Sequence, residues 1–203
     1  MPGETGVEAG PAGRRRCWWC LGSEDYIDYH DREWGRPQHG DAELFERLTL
    51  EAFQSGLSWL TILRKRENFR KAFDRFDVER IAEYGDDDVA RLLSDAGIVR
   101  NRAKIEAAIT NACATRELHS NGETLDELLW SFAPDPDSRP APRTGHDLAS
   151  TTPESKAVAK ELKRRGFVFV GPTTAYSTME AAGMVNDHLA GCEFRDQPAG
   201  LPR

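Results

Sequence analysis

The spacing of the apolar residues restricts the fold of this chain more than any other feature. Between Asp41 and Gly183 they recur every three or four positions, which places them on one face of a helix. Capping residues such as Ser58 and Thr152 precede these segments, and the alternating pattern typical of strands is nearly absent. The sequence therefore predicts an all-α protein.

Seven helical segments follow from this spacing, and their approximate bounds are 41–56, 58–73, 86–97, 100–116, 125–132, 152–166 and 172–183. Prolines fill the stretch 134–142, which we expect to form an irregular loop. The chain has 203 residues, enough for one domain or for two small domains that share an interface. We predict one domain over 17–192.

The two ends of the chain are predicted to lie outside that domain. Residues 1–16 are rich in Gly, Pro, Glu and Arg and show no apolar periodicity, so a flexible N-terminal tail is expected. A C-terminal tail is expected over 193–203. The longest apolar runs are too short to span a bilayer, and a membrane role is not expected.

The net charge of −7 argues against a protein that coats nucleic acid with a positive surface. Any contact with DNA must therefore be confined to a small part of the surface, and one segment of the chain has the residues for such a contact. Gly166 and Gly171 bound a tight hairpin between the last two helices, and five basic residues against one acid precede it in the stretch 156–165. An ordinary solvated helix face is the alternative. The residues predicted to contact DNA are Lys163, Arg165, Gly166, Phe167, Gly171 and Thr173.

A possible metal site is divided between the chain ends. Two cysteines and two histidines, Cys17, His30, His188 and Cys192, match the ligands of a closed tetrahedral zinc site. Cys20 forms a Cys17-x-x-Cys20 pair and could replace His30, and a buried free cysteine is the alternative without metal. Because no apolar signal segment is present, a reducing cytoplasm and metal ligation are expected rather than disulfides.

Aromatic residues are concentrated in the first third of the chain. Trp18, Trp19, Tyr26, Tyr29, Trp34 and Trp59 hold four of its five tryptophans and two of its four tyrosines. Aromatic faces stack on a flipped base and attract positive charge. A cationic alkylated purine has both a flat ring and a positive charge. Packing in the core is the simpler alternative for each of them.

Glu51 lies on the apolar face of the first predicted helix, where a carboxylate is costly unless it has a partner. It could pair with an arginine. The functional interpretation is that Glu51 accepts hydrogen bonds from an adenine edge and favours a cationic base, while Trp59 lines the same pocket.

Long co-linear motifs extend through residues 17–192. They are Cys17-Trp18-Trp19, Asp25-Tyr26-Ile27-Asp28-Tyr29-His30-Asp31-Arg32-Glu33-Trp34-Gly35, Ser55-Gly56-Leu57-Ser58-Trp59, Lys65-Arg66-Glu67-Asn68-Phe69, Asp95-Ala96-Gly97-Ile98, Lys163-Arg164-Arg165-Gly166-Phe167-Val168-Phe169-Val170-Gly171 and Gly183-Met184-Val185-Asn186-Asp187-His188. In order and spacing these motifs resemble the family of 3-methyladenine DNA glycosylase I.

The resemblance implies a helix-hairpin-helix DNA glycosylase fold with a zinc-stapled subdomain that joins the N- and C-terminal segments. It implies one structural zinc ion, held by Cys17, His30, His188 and Cys192, although Cys20 departs from the family pattern. It assigns the base-binding carboxylate to Glu51. It assigns the pocket aromatics to Trp19, Tyr26, Tyr29, Trp34 and Trp59.

The implied activity is removal of N3-methyladenine from alkylated double-stranded DNA by hydrolysis of the N-glycosidic bond. Free 3-methyladenine and an abasic site are the expected products, and a cytoplasmic monomer is the expected state. A non-catalytic module that binds alkylated DNA is the alternative, and a glycosylase with a lysine nucleophile is a second.

Overall fold

The computed structural model describes residues 6–196. This part of the chain is mostly helical and contains nine α-helices: α1 (Glu24–Arg32), α2 (Asp41–Gln54), α3 (Trp59–Ala72), α4 (Val78–Ile81), α5 (Asp86–Ser94), α6 (Arg102–Ser120), α7 (Leu125–Trp130), α8 (Pro153–Arg164) and α9 (Pro172–Ala181). The seven predicted segments correspond to α2, α3 and α5–α9. Helices α1 and α4 were not predicted. None of the described helices is long and apolar enough to cross a bilayer.

Helix α2 lies in the middle of the molecule, against α3, α6, α7 and α9. Its buried face and that of α3 supply much of the core. Phe53 contacts Phe69 and Phe73 through ring edges, with centroids 4.8 and 5.9 Å apart, and Phe73 stacks on Phe76. Each such ring stabilises the fold by about 2 to 3 kcal/mol when fully buried. Glu51 therefore projects from the most enclosed helix.

Most predicted helix starts agree with the structure, and one differs. Ser58 accepts a hydrogen bond from the Thr61 amide, and Thr152 accepts one from Ser155. Asp41 does not cap its own helix, which Gly40 precedes. Its carboxylate instead accepts from the first backbone amides of α7 at 2.9 Å each, so a long-range contact replaces the expected local one.

The expected tails are ordered where they are described. Strand β1 (Val7–Ala9) pairs antiparallel with β2 (Arg15–Cys17), so the prediction of an unstructured tail is wrong for these residues. At the other end Phe194 is 2% exposed, and the Glu193 amide donates to the Arg15 carbonyl at 3.0 Å. The described residues near the two chain ends therefore contact each other. The sequence around each end does not indicate this contact. The predicted tail residues 1–5 and 197–203 lie outside the described part.

Two turns bring the C-terminal segment to the N-terminal one. Gly183 has φ +71°, and a Cβ there would lie 2.2 Å from the Arg36 carbonyl carbon, so only glycine fits this approach. The Gly35 amide donates to the Glu180 carbonyl at 3.1 Å. Residues 184–192 therefore return beside α1.

Candidate functional site

Four buried side chains form a cluster between the two chain ends. The ligand atoms of Cys17, His30, His188 and Cys192 all lie within 4.8 Å of one another. His30 Nε2 and His188 Nδ1 are 3.1 Å apart, and Cys192 Sγ lies 3.5 and 3.6 Å from these two atoms. A tetrahedral zinc ion with nitrogen and sulfur ligands has edges of about 3.3 to 3.8 Å, so the spacing suits such an ion.

The outer nitrogens of both histidines are already engaged. His30 Nδ1 lies 2.8 Å from an Asp31 carboxylate oxygen, and His188 Nε2 lies 3.0 Å from the Trp34 carbonyl. Since carboxylates and carbonyls only accept, these nitrogens carry the protons. In the neutral rings the inner nitrogens then face each other with lone pairs, an arrangement that suits a cation between them. The residues present fit a metal ion.

Cys20 does not belong to this cluster. Its buried thiol donates to the Cys17 carbonyl at 3.1 Å. The sequence left either His30 or Cys20 as the fourth member of the cluster, and His30 is the one found there. The alternative in which Cys20 replaces His30 is therefore not the arrangement found.

The predicted aromatics and Glu51 line one pocket of about 320 Å³. Trp19 packs edge-on against Tyr26 and Trp34, with centroids 5.6 and 4.9 Å apart, and Tyr29 lies 5.4 Å from Trp59. The Tyr26 hydroxyl accepts from the Leu60 amide and joins α1 to the start of α3. The cage is thus built by side chains that also pack against one another.

The Cys/His cluster and the aromatic pocket adjoin each other. Trp34 faces both, because its ring centroid lies 4.7 Å from that of His188 and its carbonyl accepts from the same ring. Trp34 therefore connects the Cys/His cluster to one wall of the pocket.

Glu51 is 6% exposed, and within residues 6–196 its carboxylate has no hydrogen bond or ion pair. Burial raises its pKa to about 8, against a lowering by the charge of Arg47. Arg47 itself bonds Glu33 and Gln38, at 2.8 and 2.9 Å. The predicted alternative, a direct pair between Glu51 and an arginine, is absent from this region. The carboxylate is available to a ligand.

Five further residues line this pocket and were not predicted as base-binding residues: Trp18, Gln54, Leu148, Ser177 and Glu180. Gln54 lies one turn after Glu51 on α2, so helical spacing alone could have indicated it. The last three lie more than 90 residues from α2, and no local signal indicates them.

Asp187 is 2% exposed and lies behind the pocket. It accepts a hydrogen bond from the Tyr176 hydroxyl at 2.5 Å, and Arg139 lies 3.5 Å from its other oxygen. Asp187 is not among the pocket-lining residues. Glu180 lines the pocket, and burial and the negative charge of Asp187 raise its pKa.

The hairpin between α8 and α9 forms a separate surface. Asn111 on α6 holds it through both backbone groups of Val168, at 2.8 and 3.1 Å. Val168 and Phe169 are exposed, whereas Phe167 is buried and anchors the loop. Val168 and Phe169 line a groove of about 800 Å³ with basic residues of α8.

The predicted DNA-contacting residues divide on this surface. Lys163, Gly166, Phe167 and Gly171 line the groove. Arg165 instead bonds Glu123 and Glu161 at 2.6 to 2.9 Å. Thr173 is exposed in the first turn of α9. Lys156 and Lys160, which were not in the predicted set, complete the groove.

Comparison with known proteins assigns this architecture. The model of the methyladenine glycosylase family matches residues 19–196, which include every pocket residue except Trp18 and three of the four cluster residues. The chain belongs to the methyladenine glycosylase family. This confirms the family resemblance identified from the sequence motifs.

Individual methyladenine glycosylases are similar over nearly their whole length. DNA-3-methyladenine glycosylase 1 of Escherichia coli K12 is 46% identical over 177 residues, covering 87% of this chain and 95% of that protein. A crystal structure of 3-methyladenine DNA glycosylase I superposes with a TM-score of 0.83 at 47% identity, covering 88% and 98% of the two chains. A variant in complex with 3-methyladenine gives 0.80 at 32%, covering 87% and 95%.

Proposed function

We propose that this methyladenine glycosylase hydrolyses the N-glycosidic bond of N3-methyladenine in alkylated double-stranded DNA. Its products are free 3-methyladenine and an abasic site. The observation that carries the proposal is one small pocket that Glu51 shares with five aromatic side chains, and this buried carboxylate has no partner among residues 6–196. Relatives with the same family match are named for this activity.

The pocket suits a cationic base. Methylation at N3 puts positive charge on adenine, and the faces of Trp19, Tyr29 and Trp59 attract such charge. The Glu51 carboxylate accepts hydrogen bonds from the adenine edge. Trp59 Nε1 is buried and without a partner among residues 6–196, so one donor is also available. A normal neutral base gains less from each contact.

The charge on the lesion also determines how little acid catalysis is needed. A cationic base leaves the sugar without protonation, so holding the flipped base and excluding water from it supply most of the acceleration. Asp187 is not required as an acid here and serves to order the chain before His188. No lysine lines the pocket, which favours hydrolysis over a lysine adduct.

A base can enter the pocket only after it has left the DNA double helix. Leu57 is 42% exposed on the loop between α2 and α3, which carry Glu51 and Trp59 respectively. We propose that Leu57 enters the gap left by the flipped base, as apolar wedges do in other distorted duplexes.

We propose that α8, the hairpin and α9 form a helix-hairpin-helix element that binds the DNA backbone. Lys156, Lys160 and Lys163 are exposed beside the loop amides and the N-terminus of α9, which together suit a phosphate. The pocket is complete within one chain, so a monomer suffices.

We further propose that the Cys/His cluster holds one zinc ion. Four protein ligands leave no position open for water, so the ion would be structural, and the chemistry rests with the pocket. When bound, it would fix the two chain ends and the wall formed by Trp34. Its thiol ligands suit the reducing cytoplasm expected from the sequence.

Product analysis on methylated duplex DNA tests the proposal. The protein should release 3-methyladenine, leave sites that break in alkali, and form no borohydride-trapped adduct. A module that only binds alkylated DNA would retard the same duplex in a gel and release no base. A trapped adduct would instead identify a lysine nucleophile.

A further inference from the structure

We propose that Gln54 holds the water molecule that attacks the sugar of the flipped nucleotide. This inference rests on the proposed function and deepens it, because recognition of the base by Glu51 leaves the attacking water without an assigned partner. Gln54 is the last residue of α2 and lines the same pocket as Glu51.

The end of α2 leads from the interior of the pocket to the protein surface. Glu51 is 6% exposed, Gln54 is half-buried, and Leu57 on the following loop is 42% exposed. Gln54 comes three residues after Glu51, which places it about 4.5 Å further along the helix axis and on a neighbouring part of the same face. Gln54 therefore lies between the base-binding carboxylate and the mouth of the pocket.

The sugar of a bound nucleotide must lie at this mouth. Glu51 accepts hydrogen bonds from one edge of adenine, and the bond to the sugar leaves from the opposite side of the fused rings. A base that is held by Glu51 therefore directs its glycosidic bond outwards, towards Gln54. The loop with Leu57 begins directly after Gln54, so the proposed wedge and the sugar meet at the same place.

The side chain of Gln54 suits a water molecule. Among residues 6–196 its carboxamide has no hydrogen bond, so its carbonyl oxygen can accept one from a water. The group is uncharged and does not compete with Glu51 for the cationic base. Ser177 on α9 is the neighbouring half-buried hydroxyl of the pocket, and its side chain is shorter.

The step needs no strong base. The oxygen of the water forms a bond to the anomeric carbon, while the bond from that carbon to the base breaks. The electron pair of the broken bond stays with the base, which leaves as neutral 3-methyladenine, and the water loses one proton to solvent. The Gln54 carbonyl accepts a hydrogen bond from the water, which directs a lone pair at the anomeric carbon and stabilises the positive charge that develops on the water.

Two variants separate this role from packing and from recognition of the base. Gln54→Met is similar in length and removes both polar groups, whereas Gln54→Glu keeps an oxygen acceptor at the same place. One readout is the single-turnover rate of 3-methyladenine release from methylated duplex DNA. The other is the affinity for free 3-methyladenine, measured by quenching of tryptophan fluorescence, in which no water attacks.

Gln54→Met should lower the release rate about 10- to 100-fold and keep the affinity for free base within about threefold of the wild type. Gln54→Glu should keep a rate within about fivefold of the wild type. A normal rate for Gln54→Met would overturn the inference. So would equal losses of rate and of free-base affinity, or a rate for Gln54→Glu as low as that for Gln54→Met, because an acceptor for water is then not what Gln54 supplies.

Thermal unfolding shows whether each variant is folded. If Gln54→Met does not fold, Gln54→Ala removes the same groups and gives the same readouts. A greater loss of rate for Ser177→Ala than for Gln54→Met would overturn the assignment of the water to Gln54. Absence of base release by the wild type would contradict the proposed function, whereas normal release by both the wild type and Gln54→Met would contradict this inference alone.

Discussion

At the scale of single residues, the central feature is a carboxyl group placed where an apolar side chain would pack better. Glu51 lies on the buried face of α2, beside the aromatic side chains of the pocket. Burial raises its pKa to about 8. Such a group lowers the stability of the free protein when ionised. That cost is offset when a cationic base occupies the pocket.

The raised pKa of Glu51 predicts a pH-dependent stability. The folded protein binds this proton more tightly than the unfolded chain, whose glutamates titrate near 4.5. The contribution of this bound proton to the free energy of unfolding is fully present below pH 4.5 and is lost as the pH rises through about 8. Between pH 5 and pH 9 the free energy of unfolding of the wild type should fall by about 2 to 5 kcal/mol more than that of Glu51→Gln.

Urea unfolding at both pH values, with zinc supplied, measures this difference. The cluster residues are the same in both proteins, so their own titration cancels. Parallel pH profiles would show that Glu51 has the same pKa in the folded protein as in the unfolded chain, which would contradict a pKa raised by burial.

Glu51 and the five aromatics could be predicted because each lies in a segment with its own pattern. Glu51 interrupts an apolar stripe, and Trp19 and Tyr26 lie in a dense aromatic run. Glu180 and Ser177 could not be, because only the packing of α9 against α2 brings them to the pocket. Their significance depends on long-range contacts.

At the scale of elements, the C-terminal turn of α2 carries part of the site and depends on a residue from α6. Lys104 is 8% exposed, and its ammonium donates to the Phe53 and Ser55 carbonyls at 2.8 and 2.5 Å. Burial lowers its pKa. Lys104 therefore caps the turn that leads to Leu57.

Replacement of Lys104 by methionine keeps most of the length of the side chain, removes the ammonium, and leaves these two carbonyls without that donor. We expect a loss of about 1 to 3 kcal/mol in the free energy of unfolding, measured by urea denaturation. Lys71→Met on α3 is the matched control, because Lys71 is exposed, and its effect should stay within about 0.5 kcal/mol. Equal effects of the two substitutions would refute the capping role.

The hairpin groove gives a second prediction at this scale. Lys160 and Lys163 are exposed on α8, whereas Arg165 is engaged by Glu123 and Glu161. The double variant Lys160→Gln/Lys163→Gln should weaken binding to duplexes of any sequence and reduce the salt slope of log K by about 2. Filter binding at several salt concentrations measures both.

Binding of free 3-methyladenine should be unchanged in that double variant, since the groove and the pocket are lined by different residues. Lys71→Gln provides the control for a general loss of positive charge. If both variants give the same salt slope, the groove is not the DNA-binding surface.

Most helices could be predicted from spacing and caps, and the exceptions have a common cause. Asp41 caps α7 rather than α2, and the short strands β1 and β2 pair without an alternating apolar pattern. The partners of Asp41 lie 84 and 85 positions away, and the strand pair is bound to the C-terminal segment through the Glu193 amide, so contacts distant in the sequence contribute in both cases. Helix α1 places Tyr29 at the pocket and His30 in the Cys/His cluster.

At the scale of the whole molecule, the Cys/His cluster closes the chain into one unit. Cys17 comes from β2, His30 from α1, and the other two cluster residues follow α9. An ion shared by these residues would link positions about 175 apart in the chain, and binding energy of this kind is folding energy. The cluster also supports the pocket through Trp34.

Removal of the metal should therefore destabilise the whole protein. Elemental analysis should find one zinc ion per chain, and a strong chelator should lower the free energy of unfolding by several kcal/mol. Cys192→Ser should act like the chelator, while Cys20→Ser should keep the ion because Cys20 is outside the cluster. A metal-free protein of unchanged stability would refute this stabilising role of the Cys/His cluster.

The most direct test of the account is the single-turnover rate of 3-methyladenine release from methylated duplex DNA by the wild type and by Glu51→Gln. The substitution keeps the shape of the side chain and removes the charge that the cationic base needs, so the rate should fall about 10- to 1000-fold while the variant remains folded. Equal rates for the two proteins would contradict the assignment of base recognition to this pocket.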